Sequence, residues 1–206
     1  MDDPPISRGF KPRRPPVENK DRVPPGQHLT TDFPVLSAGP TPNISIHNWS
    51  FALQHGGSLI AKWSWSEFEA LPQTTLKTDI HCVTTWSKLD TTWSGVTVDD
   101  LLKAAGLSAA PTAFTMAHCD GGYTTNVPVA DLINGKAMVA TRYDNLPLAP
   151  SHGGPARLLV PHLYFWKSAK WVRRLRFIEK DEPGFWESFG YHIYGDPWLE
   201  QRYDTD

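Results

Sequence analysis

Short segments in which apolar and polar residues alternate dominate the chain from Ile44 onward, and they constrain its fold more than any other feature. A period of two is typical of half-buried β-strands. Helices are predicted at two places only, after Ser64 with Glu67 in a capping box and from Thr97 through Ala105. The sequence therefore predicts one strand-rich α+β domain, with strands at 44–46, 49–53, 58–63, 75–83, 112–117, 138–141, 156–160 and 171–179.

Proline is concentrated at the N-terminus, where ten of the 19 prolines fall within the first 42 residues. Each proline lacks a backbone N–H and biases its predecessor away from helix. We therefore expect residues 1–32 to form an extended arm that lies on the domain or is loose in solvent, and residues 33–206 to form the domain. The basic residues of the arm either contact an anion or partner, or form a solvated tail.

Charge and hydropathy exclude several classes of protein. The formal net charge is −2, which argues against binding nucleic acid or an anionic membrane by bulk charge. No apolar run is long enough for a membrane span, and two cysteines are too few for a disulfide scaffold. Arg13 and Arg14 resemble a twin-arginine export signal, but no apolar segment follows them. We therefore expect a cytoplasmic protein with reduced thiols.

Two His-Cys dipeptides, His81-Cys82 and His118-Cys119, are the first candidates for chemistry. Neighbouring residues on a strand point to opposite faces, so each dipeptide can offer only one ligand on the inward face. No Cys-x-x-Cys or His-x-x-x-His spacing elsewhere in the sequence completes a tetrahedral zinc site. Cys82, at the end of a predicted strand, is either a thiolate nucleophile or a small buried apolar residue.

Cations and glycines cluster in the segments 152–157 and 167–170. The first reads His-Gly-Gly-Pro-Ala-Arg and the second Lys-Ser-Ala-Lys, and the second lies among aromatic residues. Arginine, lysine and serine side chains suit a phosphate, whereas Arg174 and Arg176 fit a solvated strand face. The sequence predicts a bound anion here. A Gly-Gly turn at 121–122 indicates either the wall of a ligand cleft or a plain hairpin.

Several separated motifs, in order, resemble the sulfite-oxidase-type molybdopterin-binding domain, and most closely its small haem-free bacterial members. They are His81-Cys82-Val83-Thr84 with Trp86-Ser87, Trp93-Ser94-Gly95-Val96, the two cationic segments above, Gly184-Phe185-Trp186-Glu187 and Asp196-Pro197-Trp198. The resemblance runs from about residue 33 to 202. It implies a mixed-sheet fold, a molybdenum-molybdopterin cofactor and no haem.

The resemblance also implies roles for particular residues. Cys82 would be the one protein ligand of the metal, since a soft thiolate suits a centre already held by the two sulfurs of the pterin dithiolene. Ser37 lies in a loop that would pass over the pterin, and His118 would contact the cofactor. The cofactor phosphate is expected near the residues of the cationic segments, which are His152, Arg157, Lys167, Ser168, Ala169 and Lys170.

Departures from the family pattern bear on the substrate. Animal and plant sulfite oxidases carry arginine and histidine at the positions where this chain has Leu36 and Ala38. They also carry an arginine where this chain has Trp86 and Ser87. The tyrosine beside the metal in those enzymes is replaced near Thr141. A dianion needs convergent cations to offset its desolvation, so sulfite is disfavoured.

The leading hypothesis is therefore oxygen-atom transfer to or from a small S- or N-oxide substrate, with reduction favoured over oxidation. Electrons would come from, or go to, a separate partner. Two alternatives remain open at this stage. The domain could be a non-catalytic molybdopterin carrier, or a thiol-dependent hydrolase that uses Cys82.

Overall fold

Two β-sheets form the framework of the protein, as a computed structural model that describes residues 21–206 shows. The first sheet contains β1 (His28–Leu29), β4 (Thr74–His81), β5 (Trp86–Thr97), β8 (Met138–Tyr143), β9 (Leu146–Pro147) and β10 (Arg157–Leu159). The second has the order β3 (Ser58–Ser64), β2 (Ser50–His55), β11 (Val172–Ile178), β6 (Phe114–Cys119) and β7 (Thr124–Pro128). Because β1 runs parallel to β5 and β11 parallel to β2, while the other pairs are antiparallel, both sheets are mixed. The predicted strand-rich, mixed-sheet α+β class is confirmed.

Both helices begin at the predicted caps. In α1 (Trp65–Glu69), the backbone N–H of Ser64 donates to Glu67 Oε2 at 2.8 Å, and the Ser64 hydroxyl accepts from the Glu67 N–H in return. In α2 (Val98–Ala104), Thr97 Oγ1 accepts from the N–H of Asp100 at 3.1 Å. These caps satisfy N–H groups that a helix leaves unpaired in its first turn.

Two local predictions were wrong. Residues 44–46 are not a strand, because the Ser45 hydroxyl accepts from the N–H of His47 and a 3₁₀ turn forms over Ile46–Asn48. The longest strand, β5, was missed. Its alternation breaks at Asp90, which has a φ of 57°, so the segment does not present the regular period of a strand.

The two sheets pack against each other through the larger of two apolar clusters. Leu53 and Leu175 of the second sheet meet Val139 and Leu158 of the first in this cluster. The neighbours Met138, Ala140 and Leu159 belong instead to a smaller cluster with Ile80, Trp86, Trp93 and Phe165. Because successive strand residues point to opposite faces, this smaller cluster lies on the other face of the first sheet, and Cys82 belongs to it.

The described part of the predicted arm lies against the first sheet. The N–H of His28 donates to the carbonyl of Thr85 at 2.8 Å, and that of Thr30 to Ser87 at 3.0 Å. Residues 1–20 are outside the described part, so an extended conformation for them and the location inferred from Arg13 and Arg14 stay predictions. The division of the chain at residue 32 also stays a prediction. Within residues 21–206, no helix is both long and apolar enough to cross a bilayer.

Candidate functional site

A cavity of about 610 Å³ opens where the smaller apolar cluster meets the connecting loops. Its volume is in the range of cofactor and ligand sites. Six segments contribute to its wall, namely 33–42, 82–86, 120–123, 152–157, 165–171 and 185–191. The cavity therefore gathers the predicted cysteine turn, the Gly-Gly turn and both cationic segments in one place.

Cys82 follows the last residue of β4 and reaches the cavity wall from a tight turn. The N–H of Thr85 donates to the carbonyl of Cys82 at 3.0 Å, and Thr85 has a φ of 73°. The hydroxyl of Thr84 donates to the Cys82 sulfur at 3.2 Å. Burial raises the pKa of the Cys82 thiol, while the hydrogen bonds from Thr84 lower it. Such a thiol is a poor nucleophile on its own, but it remains available as a metal ligand.

Both ends of the chain hold this turn in place. The side-chain amide of Gln27 donates to the carbonyl of Cys82 at 3.1 Å. From the other end, Arg202 Nη1 donates to the carbonyl of Val83 at 2.8 Å. Gln27 is buried, so the described part of the arm is a structural element of the site.

Arg157 is the electrostatic centre of the cavity. Its side chain is buried, and Nη1 and Nη2 donate to the carbonyls of His152 and Ser168. The guanidinium lies 4.1 Å from the centroid of the Phe165 ring, and Nε has no hydrogen-bond partner in the part of the chain that the structure describes. No carboxylate of residues 21–206 forms an ion pair with it. Burial lowers the pKa of Arg157 to about 9, so an anion in the cavity would stabilise the charged form.

His152 and Lys170 lie beside Arg157. The imidazole of His152 stacks on Phe33 with centroids 3.9 Å apart, and its Nδ1 is buried and finds no hydrogen-bond partner among residues 21–206. Burial and repulsion from Arg157 and Lys170 lower the pKa of His152 to about 4, so its ring is neutral at pH 7. Lys170 Nζ donates to the carbonyls of Leu36 at 2.6 Å and Ser151 at 2.7 Å. Burial and Arg157 lower the pKa of Lys170 to about 8.

The glycine of the cationic segment explains how these groups approach one another. Gly153 has a φ of +108°, and a Cβ there would lie 3.0 Å from Lys170 Cα and 3.1 Å from Arg157 Cβ. A side chain would force the loop away from both cations. Ser168 and Ala169 are buried on the cavity wall between these cations, and Ser37 lines it from the opposite loop.

Two residues predicted to contact the cofactor, Lys167 and His118, do not line the cavity, and their contact with it stays a prediction. Lys167 is absent from the cavity wall and fully buried, and its ammonium forms an ion pair with Glu187 at 2.6 Å. His118 lies on β6 opposite Arg174, on the face away from the larger core. Burial and repulsion from the arginines at 174 and 176 lower its pKa to about 4. Strand alternation sends Cys119 inward and His118 outward.

Of the residues that bear on substrate choice, some line the cavity and others do not. Leu36, Ala38 and Trp86 line the cavity, as the resemblance requires. Thr141 does not line this cavity but a separate one of about 670 Å³, and its correspondence to a metal-neighbouring tyrosine stays a prediction. Sequence reasoning also missed a group of cavity residues that we call the aromatic wall, defined as Trp166, Phe185, Trp186 and Tyr191. The high density of aromatic residues in this part of the sequence was the signal that could have indicated the aromatic wall.

The donor set fits an anionic organic cofactor that carries its own metal. Among residues 21–206, no group of three or more His, Cys, Asp or Glu side chains could hold a metal ion. One cysteine thiol faces the cavity, and the unpartnered nitrogens of Arg157 and His152 lie in its wall. These features fit one class of protein, the strand-rich domains that bind an anionic cofactor and supply one thiolate to its metal.

Comparison with known proteins identifies the family. Residues 38–186 match the oxidoreductase molybdopterin binding domain, and the chain belongs to this family of oxidoreductases. It is 40% identical over 190 residues to the uncharacterized oxidoreductase YuiH of Bacillus subtilis, covering 92% of this chain and 96% of that relative. It is 28% identical over 130 residues to the protein-methionine-sulfoxide reductase catalytic subunit MsrP of Xanthomonas axonopodis, covering 56% of this chain and 40% of that protein.

A solved structure agrees in fold. The sulfane dehydrogenase SoxCD from Paracoccus pantotrophus superimposes with a TM-score of 0.58 at 20% identity, covering 68% of this chain and 40% of that chain. At this identity the match bears on fold alone. The predicted fold, the molybdopterin family and the oxidoreductase class are confirmed.

Proposed function

We propose that this oxidoreductase binds molybdenum-molybdopterin through Cys82 and reduces a neutral S-oxide, or less readily an N-oxide, by oxygen-atom transfer. The observation that carries the proposal is a single cavity in which three features meet: the Cys82 thiol, the aromatic wall, and Arg157, which forms no ion pair with any of residues 21–206. When bound, the cofactor supplies the two-electron chemistry. The protein supplies binding, orientation and electrostatics.

The cofactor would be held at two kinds of contact. Cys82 would ligate the metal, and the Thr84 hydroxyl would remain as a hydrogen-bond donor to its sulfur. Arg157 and Lys170 would bind the phosphate as buried and half-buried cations, and neutral His152 would contribute one ring nitrogen. Ser37, Ser168 and Ala169 would line the pterin and phosphate surfaces.

The nature of the wall supports an uncharged substrate. Leu36, Ala38 and Trp86 supply no charge to the cavity. A dianion such as sulfite would lose its hydration on entry, while Arg157 and Lys170 would already be engaged by the cofactor phosphate. The aromatic wall instead offers apolar surface to an organic sulfoxide. One relative, from Xanthomonas, is named as a reductase of methionine sulfoxide, which supports the same substrate class.

The electron source is part of the proposal. We propose a separate donor rather than a haem of this chain, and the test is the purified protein's absorption spectrum, in which a haem would give a strong Soret band. We retain the cytoplasmic location as a prediction from the residues after Arg14.

The test is expression in a host that makes the cofactor, followed by metal analysis and turnover with a reduced viologen. We expect about one molybdenum atom per chain, oxidation of the viologen with an aryl methyl sulfoxide, and no oxidation of sulfite. Molybdenum without turnover of any S- or N-oxide would instead indicate a carrier. Alkylation-sensitive hydrolysis without molybdenum would indicate a thiol hydrolase. Either result would overturn the proposal.

A further inference from the structure

A buried ion pair lies directly behind the aromatic wall. Lys167 Nζ and Glu187 Oε1 are 2.6 Å apart, and the two side chains are 0% and 1% exposed. Burying two charges costs more than their attraction returns unless further hydrogen bonds complete the site. The partners of this pair therefore show what it holds together.

Both members of the pair have such partners, and these come from β7 and from the segment 184–193. Lys167 Nζ donates to Asn126 Oδ1 at 2.7 Å, to the Asn126 carbonyl at 3.0 Å and to the Ile193 carbonyl at 2.7 Å. Glu187 Oε1 accepts from the Thr125 hydroxyl at 2.8 Å. The pair thus joins β7, the loop that contains Lys167 and the segment 184–193.

The same carboxylate also holds a residue of the wall itself. The indole N–H of Trp166 donates to Glu187 Oε1 at 2.9 Å. Tyr191 lies 5.3 Å from Trp166 and 5.1 Å from Trp186, between ring centroids. Trp166 precedes Lys167 in the chain and Trp186 precedes Glu187, so each charged residue adjoins a ring of the cavity wall.

The backbone of segment 184–193 is pressed tightly against β7. The N–H of Phe185 donates to the carbonyl of Thr124 at 2.8 Å. A Cβ on Gly184 would lie 2.5 Å from Thr125 Cα and 2.7 Å from Glu187 Oε2. Only glycine fits there, and this close approach brings the Glu187 carboxylate within reach of Lys167.

We propose that Lys167 and Glu187 are positioning residues that fix the aromatic wall and thereby set the affinity for apolar S-oxide substrates. Neither residue lines the cavity, so each acts through Trp166, Trp186 and Tyr191. The kinetic part of this inference rests on the proposed function. The structural part, order in segment 184–193, does not.

The test is Glu187→Gln in the molybdenum-loaded enzyme. Glutamine keeps the size and one acceptor oxygen but removes the charge opposite Lys167. We expect the KM for methyl phenyl sulfoxide to rise about tenfold, with kcat within about twofold and molybdenum content unchanged. The KM for dimethyl sulfoxide, which has no ring to pack on the wall, should change less. A general loss of stability would lower kcat or cofactor content rather than discriminate between these substrates.

Lys77→Gln is the matched control, because it removes an exposed ion pair with Asp90 away from the cavity and should leave every parameter unchanged. Equal KM values for Glu187→Gln and wild type would overturn the inference, as would a loss of molybdenum at unchanged KM. If Glu187→Gln does not fold, Thr125→Val removes one donor to the same carboxylate and should give a smaller change in the same direction.

Amide hydrogen exchange separates this inference from the proposed function. If the wild-type enzyme reduces no S-oxide, the proposed function fails, but exchange in segment 184–193 of the loaded protein still decides the role of the pair. Faster exchange in that segment in Glu187→Gln than in Lys77→Gln supports the inference. Equal exchange in the two variants overturns it.

Discussion

Replacing Arg157 by methionine separates the cost of a buried cation from its use in binding the cofactor. Burial lowers the pKa of Arg157 to about 9 because it disfavours the charged form. At about 1.36 kcal/mol per pKa unit, a shift of this size corresponds to an unfavourable free energy on the order of 5 kcal/mol at pH 7. This penalty is fully present below pH 9 and declines as the pH rises further.

Methionine removes that penalty but also removes two donors. The carbonyls of His152 and Ser168 lose their arginine hydrogen bonds, at a cost of about 1–3 kcal/mol each. The two effects nearly cancel, so we expect the free energy of unfolding of the cofactor-free variant to lie within about 3 kcal/mol of the wild-type value. The loaded protein loses more, because the phosphate loses a charge-assisted hydrogen bond worth about 2 kcal/mol, or about 30-fold in Kd.

The assay compares molybdenum content after dialysis and the gain in Tm on cofactor loading. Arg157→Met should lose molybdenum during dialysis and show a smaller gain in Tm than wild type. Arg174→Met is the matched control, since Arg174 is half-buried on β11 and lies outside the cavity wall. Full retention of molybdenum with the wild-type gain in Tm would refute the assignment of Arg157 to the phosphate.

Three further predictions concern the same cavity. Cys82→Ser should fold but contain little molybdenum and turn over no substrate, as metal analysis and viologen oxidation will show; normal turnover with molybdenum present would exclude Cys82 as the ligand. Thr84→Val removes the hydroxyl that donates to the Cys82 sulfur and should lower the midpoint potential of the molybdenum, since hydrogen bonds to a ligating sulfur favour the reduced metal. Thr84→Ser keeps a hydroxyl and should preserve the potential. Equal potentials in wild type, Thr84→Val and Thr84→Ser would contradict this role of Thr84. Sulfate should raise the Tm of the cofactor-free protein most below pH 8 and progressively less as the pH rises through 8, where Lys170 loses its charge. Lys170→Met should remove this pH dependence of the sulfate effect. If the pH dependence persists in Lys170→Met, a group other than Lys170 is responsible for it.

Local signals in the sequence were sufficient for α1, α2, β2 and β3. Their caps and alternating residues act within a few positions, so neighbouring residues decide the structure. The strand β5 was hidden because its irregularity at Asp90 is stabilised from elsewhere. The N–H of Asp90 donates to the carboxylate of Asp79 at 2.9 Å, and this contact depends on the pairing of two strands.

The cysteine turn was located correctly, but its supports were not. Cys82 follows the end of a strand that the alternating pattern predicts, whereas Gln27 and Arg202 reach it from 55 residues before and from near the C-terminus. Single polar residues in coil segments carry no periodic signal. Their role emerges only when the fold brings both ends of the chain to the same turn.

The contrast between Arg157 and Lys167 shows what composition alone does not distinguish. Both are fully buried cations from the two cationic segments, and in the sequence both indicate a bound anion. In the structure Lys167 meets a carboxylate of its own chain, Glu187, 20 residues further on, while the carboxylates of the described residues leave Arg157 without an ion pair. A buried charge must be compensated, so only the unmatched cation requires a ligand. Charge matching is therefore the reason why we propose Arg157, and not Lys167, as a residue that binds the cofactor.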